Sequence, residues 1–208
     1  MLDAAMVSAW TEKYVTEPDP IRAARRASLE HGVEPITPAM GSFLASLVAF
    51  SGAQSIVEIG TGLGVASQWL LLSHSETHLT SIEKDVDHQQ SAKDLFSQAG
   101  IASSRIRLIS GDAADILPRM NEGTYDLIVI NATGKGILEL TRSALHLARI
   151  GGIVAVIHAL GGGLVTQPTK RDAVTTELRT LLGDYAVDEN VRATMVPVGD
   201  GILTLVKQ

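Results

Sequence analysis

Short, mainly apolar runs at 55–59, 79–83, 106–110, 125–131 and 153–158 read as strands. Stretches at 65–72, 87–99, 114–120 and 137–147 lie between them with helical spacing. Strands alternating with helices imply parallel strands joined by right-handed crossovers. The runs are mainly apolar rather than alternating, as expected of strands covered on both faces. Before this alternation the chain reads as helical. Asp19-Pro20 starts a helix that Gly32 ends, and Thr37-Pro38 starts another, with Leu44, Leu47 and Val48 on one face and Ser51-Gly52 at its end. After it, a helical stretch at 171–182 leads to apolar runs at 191–198 and 202–206, separated by Gly199-Asp200-Gly201. Two runs around a tight glycine turn predict an antiparallel hairpin. The expected fold is therefore α/β: a doubly wound seven-stranded sheet, five parallel strands closed by a C-terminal hairpin, with helices on both faces. The 208 residues suit one domain, 1–208, with 1–52 as a helical N-terminal extension.

Composition narrows the partners. The formal net charge is -6, and of the 17 Lys and Arg residues only Arg22, Arg25 and Arg26 cluster. No basic stripe exists to release phosphate counterions, so nucleic acid is not an expected partner. The absence of cysteine excludes disulfides and thiolate metal sites. No apolar run approaches the roughly 20 residues of a membrane helix, and residues 1–20 do not resemble a signal peptide. A small-molecule partner and a cytoplasmic setting are expected.

The densest chemical signal is Val57-Glu58-Ile59-Gly60-Thr61-Gly62-Leu63-Gly64, where the first strand turns into a helix. Gly60 and Gly62 permit backbone angles closed to other residues and a close approach of ligand to main chain. The third glycine of the dinucleotide fingerprint is missing, because Val65 stands three past Gly62. Glu83 ends the second strand, where an acid can accept hydrogen bonds from ribose hydroxyls. Gly111-Asp112-Ala113 follows the third strand at the place for an adenine ring. Asn131 ends the fourth, at the topological switch point where such sheets bind ligands. The terminal hairpin favours S-adenosylmethionine (SAM) over a dinucleotide, whose sheet is usually parallel to its edge.

These residues resemble the caffeoyl-CoA and catechol type of small O-methyltransferases, and more closely an actinobacterial branch of that family. The resemblance runs from Thr37-Pro38 to Val196-Pro197-Val198-Gly199-Asp200-Gly201-Ile202-Leu203 and includes Ser81-Ile82-Glu83 and Gly111-Asp112-Ala113. It implies that Glu58, Gly60, Thr61, Gly62 and Gly64 hold the methionine half of SAM, that Glu83 takes the ribose, and that Gly111, Asp112 and Ala113 take the adenine. The backbone at Ile36 and Thr37 would cover the cofactor. The family's small residue for the SAM carboxylate falls at Ala66, which makes Ser67 a substitute candidate. A homodimer is implied as well, with Trp10, Tyr14 and the Arg22–Arg26 cluster as candidate acceptor or dimer contacts.

The catalytic positions depart from the family. Its Asp-x-Asp-Lys run falls on Asn131, Thr133 and Gly134, and its metal-binding Asp-Asn pair falls on Ile157 and His158. Magnesium prefers hard oxygen ligands with at least one carboxylate, so no metal is expected here. His158 is the first candidate for a general base, since imidazole titrates near neutrality. Lys135, beside the family's lysine position, is the second, and Asn131 completes the catalytic set. The glycines Gly161-Gly162-Gly163 predict a mobile loop over the acceptor. Three readings follow: a metal-free SAM-dependent O-methyltransferase for a small hydroxylated acceptor; a SAM- or S-adenosylhomocysteine-binding protein with little or no turnover; and an NAD-dependent oxidoreductase, disfavoured by the missing glycine.

Overall fold

A computed structural model describes residues 4–208. Three helices come first: α1 (Ala4–Tyr14), α2 (Asp19–Glu30) and α3 (Pro38–Ser51). The alternating part follows as β1 (Ser55–Ile59), α4 (Val65–Leu70), β2 (His78–Glu83), α5 (Val86–Gln98), β3 (Ile106–Ser110), α6 (Ala113–Ile116), β4 (Tyr125–Ile130), α7 (Ile137–Leu147) and β5 (Ala148–Ile157). The chain ends with α8 (Ala173–Val187), β6 (Val191–Val196) and β7 (Ile202–Lys207). The seven strands form one sheet in the order β3-β2-β1-β4-β5-β7-β6. The first five pair in parallel, and β7 lies antiparallel between β5 and β6. The expected seven-stranded sheet and closing hairpin are both present.

Successive strand residues feed different cores, which explains the apolar runs. Ile56, Leu127, Val129 and Ala155 pack beneath α2, α3 and α4. Their neighbours Val57, Ile128, Ile130 and Val156 pack on the opposite face with α7 and α8. Alternation along a strand therefore becomes alternation between two buried layers.

Local chemistry sets most of the helix ends. Thr37 caps α3 by accepting from the Met40 amide, and Gly52 closes it with a left-handed φ of 64°. Asp19 does not cap α2; Pro18 holds the cap position and Asp19 lies in the first turn. The helix expected over 114–120 breaks after Ile116 into a 3-10 turn over Leu117–Arg119, because Pro118 cannot continue an α-helix. Helix α4 stops two residues early, where Arg105 donates to the carbonyls of Leu71, His74 and Thr77.

The N-terminal helices are fastened to the sheet at specific points. Glu12 of α1 accepts from the Thr37 hydroxyl at 2.8 Å and the Ala39 amide at 3.0 Å, so one carboxylate anchors α1 to the start of α3. Arg25 is bound in a bidentate pair by Glu17, and Arg22 pairs with Asp19, so two members of the arginine cluster are already neutralised. Trp10 and Tyr14 stack with ring centroids 5.4 Å apart and stand exposed on α1. Where α3 crosses α4, the buried indole of Trp69 lies where a side chain on Gly41 would project.

Gly41→Ala therefore tests the packing against intrinsic propensity. Alanine in a helix interior normally gains about 1 kcal/mol over glycine, but here it meets the indole. Urea unfolding is expected to show a net loss of about 1–3 kcal/mol; a gain would mean that Trp69 yields freely.

Candidate functional site

Four strand ends meet at one edge of the sheet, and hydrogen bonds run between them. Gly60, directly after β1, donates to the Ile82 carbonyl at 2.9 Å and accepts from the Asn131 side-chain amide at 3.1 Å. The Asn131 amide returns to the Ile59 carbonyl at 2.8 Å. Gly62 donates to Glu83 at 2.8 Å, and Gly111 donates to the Glu83 carbonyl at 2.9 Å. Gly60 and Gly62 both have positive φ, 93° and 50°. A Cβ at Gly60 would run into the Asn131 carbonyl, so this turn requires glycine for space as well as for angle.

A buried polar network supports the turn from below. Glu58 is fully buried, and one of its carboxylate oxygens accepts from the Ser67 and Ser81 hydroxyls at 2.5 and 2.6 Å. Ser81 also meets the Thr61 hydroxyl at 2.5 Å. The second oxygen of Glu58 is buried without a partner among the described residues. Burial pushes the Glu58 carboxyl from an ordinary 4.5 up to about 7, against the two serine hydrogen bonds and aided by the nearby Glu83 charge. Ser67 thus has its hydroxyl engaged by Glu58 in the interior, and Glu58, Thr61 and Ser67 together brace the turn from inside.

The cofactor candidates on the next two strands remain partly available. Each Glu83 oxygen takes one backbone amide, Gly62 at 2.8 Å and Asp85 at 3.0 Å. A carboxylate offers about four lone-pair sites, so two remain for a ligand's hydroxyls. Asp112 is exposed and caps α6 through the Ala114 amide at 2.9 Å, with Ala113 buried behind it. The Thr37 side chain is committed to Glu12 and Met40, and its carbonyl accepts from the Gly41 amide at 3.0 Å. Val33 reaches within 3.5 Å of where a Gly62 side chain would be, so the segment before Thr37 lies over the glycines. A cavity of only about 20 Å³ remains there, bordered by Pro35, Ile36, Gly62 and Asn131. Neither Glu83 nor Gly111–Ala113 borders this cavity, so it lies on the Gly60–Gly64 side of the edge. A wider groove of about 800 Å³ lies along α2 by Glu17, Arg22 and Leu29, away from every expected cofactor residue.

The catalytic candidates separate. Asn131 is half-buried in the clasp to Gly60. Lys135 is exposed in the turn before α7, a turn tied to α8 by Glu177, which accepts from the Gly136 and Leu138 amides at 3.0 Å. His158 is the first residue beyond β5, not its last, and has φ 59°, a left-handed backbone found at no other non-glycine among the described residues. Its Nδ1 lies 3.7 Å from the Asp200 carboxylate. The glycine loop behind it is more tied down than its sequence suggests. Gly162 donates to Asp200 at 2.8 Å, and Arg179 donates to the carbonyls of Leu164, Val165, Gln167 and Lys170.

Asp200, Ser81, Glu177 and Arg179 received no role from the sequence. Asp200 sits between two turn glycines, so it reads as turn chemistry, and nothing local signals its partner 42 positions earlier. Ser81 does lie on the same strand as Glu83 with one residue between them, a spacing that places both on one face.

An O-methyltransferase family model matches residues 12–208. The chain belongs to the O-methyltransferase family. A Mycobacteroides abscessus protein, provisionally named an O-methyltransferase, is 39% identical over 200 residues, covering 96% of this chain and 93% of its own. The O-methyltransferase TomG of Streptomyces achromogenes, involved in tomaymycin synthesis and solved in complex with SAM, is 28% identical. It superposes with a TM-score of 0.86 over 100% of both chains. A Corynebacterium glutamicum protein with a TM-score of 0.89 and 24% identity, covering 98% of this chain and 96% of its own, shares the fold. The dinucleotide-oxidoreductase reading is thereby set aside.

Within this O-methyltransferase, the positions equated with the family's cation ligands do not suit a hard divalent ion. The Asn131 amide nitrogen is bound to Gly60, leaving one neutral oxygen. Ile157 is buried and apolar, and His158 offers nitrogen. Among the described residues no group of three or more His, Cys, Asp or Glu could hold a metal.

Glu58 yields a prediction about stability. A carboxyl whose folded pKa is raised contributes stability that is fully present below its unfolded value of 4.5 and is lost as pH rises through about 7. The groups held low, Asp85, Asp126 and Asp172, act at more acidic pH and stay out of this window. Unfolding free energy should fall by about 2 kcal/mol from pH 5 to pH 7, and Glu58→Gln should flatten that slope. Urea titrations at several pH values check it; an unchanged slope in the variant would exclude Glu58 as the cause.

Proposed function

We propose that this O-methyltransferase transfers a methyl group from SAM to a small hydroxylated acceptor, and does so without a divalent metal. The observation that carries the reading is the hydrogen-bonded set of strand ends, in which Gly60, Gly62, Glu83, Gly111 and Asn131 form one continuous edge. Glu83 would take the ribose hydroxyls with its remaining lone pairs, and Gly111, Asp112 and Ala113 would border the adenine. Gly60, Thr61, Gly62 and Gly64 would place main chain against the methionine half. Ser67 and Glu58 would act from beneath, bracing the turn that meets the cofactor.

When bound, SAM supplies an electrophilic methyl group: the acceptor oxygen forms the C–O bond as the sulfonium C–S bond breaks, leaving S-adenosylhomocysteine. The chain's task is then to orient the acceptor oxygen and remove its proton. We assign the proton to the Nε2 atom of His158, from which it passes to water. His158 lies just beyond β5, and β5 pairs with β4, the strand that leads to Asn131. Lys135 is the weaker candidate, since it stands exposed in the turn before α7. The donor chemistry at Asn131, Ile157 and His158 supports the metal-free reading.

The other expectations enter as proposals of the same kind. Residues 1–208 would act as one methyltransferase domain, with 1–52 as its helical extension. The exposed apolar residues of α1, Trp10 and Tyr14 included, are the proposed homodimer contacts. Among the described residues no helix is long and apolar enough to cross a membrane, and we propose a cytoplasmic setting.

Calorimetry should show binding of SAM and S-adenosylhomocysteine but not of NAD. Glu83→Gln should weaken SAM about tenfold or more. With catechol and a panel of simple phenols, turnover should survive dialysis against a chelator, and His158→Ala should lower kcat by about a hundredfold or more with SAM affinity unchanged. Activity lost to the chelator and restored by magnesium would overturn the metal-free reading. Tight SAM binding with no phenol methylated would favour a cofactor-binding protein instead.

A further inference from the structure

The proton-accepting group assigned above stands in a conformation that needs explaining. A histidine at φ 59° lies in a region that few non-glycine residues occupy, and it persists only where its surroundings enforce it. The surroundings here are identifiable. The β5–β7 register pairs Ile157 with Ile202, and the amides beyond the strand continue the pairing, Ala159 to the Gly201 carbonyl at 3.1 Å and Leu160 to the Asp200 carbonyl at 3.0 Å. These bonds grip the chain on the C-terminal side of His158 while β5 fixes it on the other.

Asp200 is itself held on several sides. Its carboxylate accepts from the Gly162 amide at 2.8 Å, and the Gly201 amide closes the turn onto the Val198 carbonyl at 2.9 Å. A side chain at Gly199 would strike Met40 and lie 3.1 Å from the Thr37 hydroxyl, so the turn seats directly on the start of α3. The same carboxylate lies 3.7 Å from Nδ1 of His158, and both side chains are about a quarter exposed, at 23% and 27%. That separation is longer than a hydrogen bond, as such pairs often are before substrate binds. No other ion-pair partner of His158 occurs among the described residues.

We propose that Asp200 is a positioning residue for His158: its carboxylate accepts the Nδ1 proton, fixes the ring, and leaves Nε2 free to take the acceptor's proton. The position of a histidine's proton is set by the hydrogen bond its other nitrogen makes. An anion at Nδ1 also stabilises the imidazolium that forms when Nε2 is protonated. The arrangement rests on the reading of His158 as the base, but Asp200 governs the tautomer whether or not that reading holds. It also gives the glycine loop a purpose, since Gly162 holds the carboxylate that faces the ring.

The experiment uses the full chain with ¹⁵N-labelled histidine, saturated with S-adenosylhomocysteine. The six histidines are told apart by the resonance that disappears in His158→Gln. The wild type should show His158 protonated at Nδ1. Asp200→Asn keeps an oxygen for the Gly162 amide but turns an N–H toward the ring, so the proton should move to Nε2. Asp200→Glu should restore the Nδ1 form at least in part. With any phenol that the wild type methylates, Asp200→Asn should lower kcat about a hundredfold or more, with KM and SAM affinity nearly unchanged. Protonation at Nε2 in the wild type, or a tautomer indifferent to Asp200→Asn, overturns the proposal. A tautomer that follows residue 200 while His158→Ala keeps full activity upholds the positioning and overturns the base assignment. A large rate loss in His158→Ala with no tautomer response to Asp200→Asn does the reverse.

Discussion

The site depends on how tightly the main chain of β1 and that of β4 approach each other at Gly60 and Asn131. The Gly60 carbonyl takes the Asn131 side-chain amide, the Asn131 main-chain amide takes the Ile59 carbonyl, and no Cβ fits between them. This clasp fixes the direction in which the chain leaves β1. From there Gly62 meets Glu83, and Glu83 meets Gly111 through its carbonyl, so the ligand-facing edge is continuous across four strands. Loosening the first contact would leave the others without a common reference. The buried carboxyl of Glu58, held by Ser67 and Ser81, prevents that from below at an electrostatic cost.

The same clasp bears on the metal. At the position that the family resemblance equates with a metal-binding aspartate, an asparagine donates to the glycine turn. An aspartate there has no N–H to donate, so asparagine exchanges a potential cation ligand for a fixed turn. With an isoleucine next to His158 on the neighbouring strand, the edge loses both carboxylates that a hard ion would need. What it retains is a nitrogen base, and a reaction whose methyl group is already activated by a sulfonium asks mainly for orientation and proton removal. The departures are thus consistent with one another.

Much of the fold was legible because its signals are local. Apolar runs bounded by turn residues gave six strands to within two positions and missed the first five residues of β5, where Arg149, Gly151 and Gly152 interrupt the apolar pattern. Thr37, Gly52 and the Gly199–Gly201 turn marked the ends they were expected to mark. Pro118 and Arg105 ended two helices earlier than periodicity suggests, the first by steric clash and the second by taking carbonyls from afar. In the site, the glycines, Glu83 and Asn131 were legible as strand-end residues. The partners of their side chains were not. Nothing local showed that the Ser67 hydroxyl donates to Glu58, and three successive glycines looked like a free loop until Arg179 and Asp200 were found holding it. Such contacts join residues between nine and 38 positions apart, and no periodic pattern encodes them.

The least legible pair, His158 with Asp200, follows from topology more than from either residue. Had β7 added at the sheet's outer edge, its turn would stand one strand further from β5. Instead β6 takes the edge and β7 is inserted antiparallel against β5. Antiparallel register then forces the residues just after β5 to face those just before β7, so whatever occupies 158 must meet whatever occupies 200 and 201. Gly201 has no side chain to offer and already binds Ala159 through its carbonyl, which leaves the Asp200 carboxylate to answer the ring. A sheet that closes with an inserted antiparallel strand therefore offers a second point of attachment beside its ligand edge. In this chain, that point carries an acid opposite a histidine.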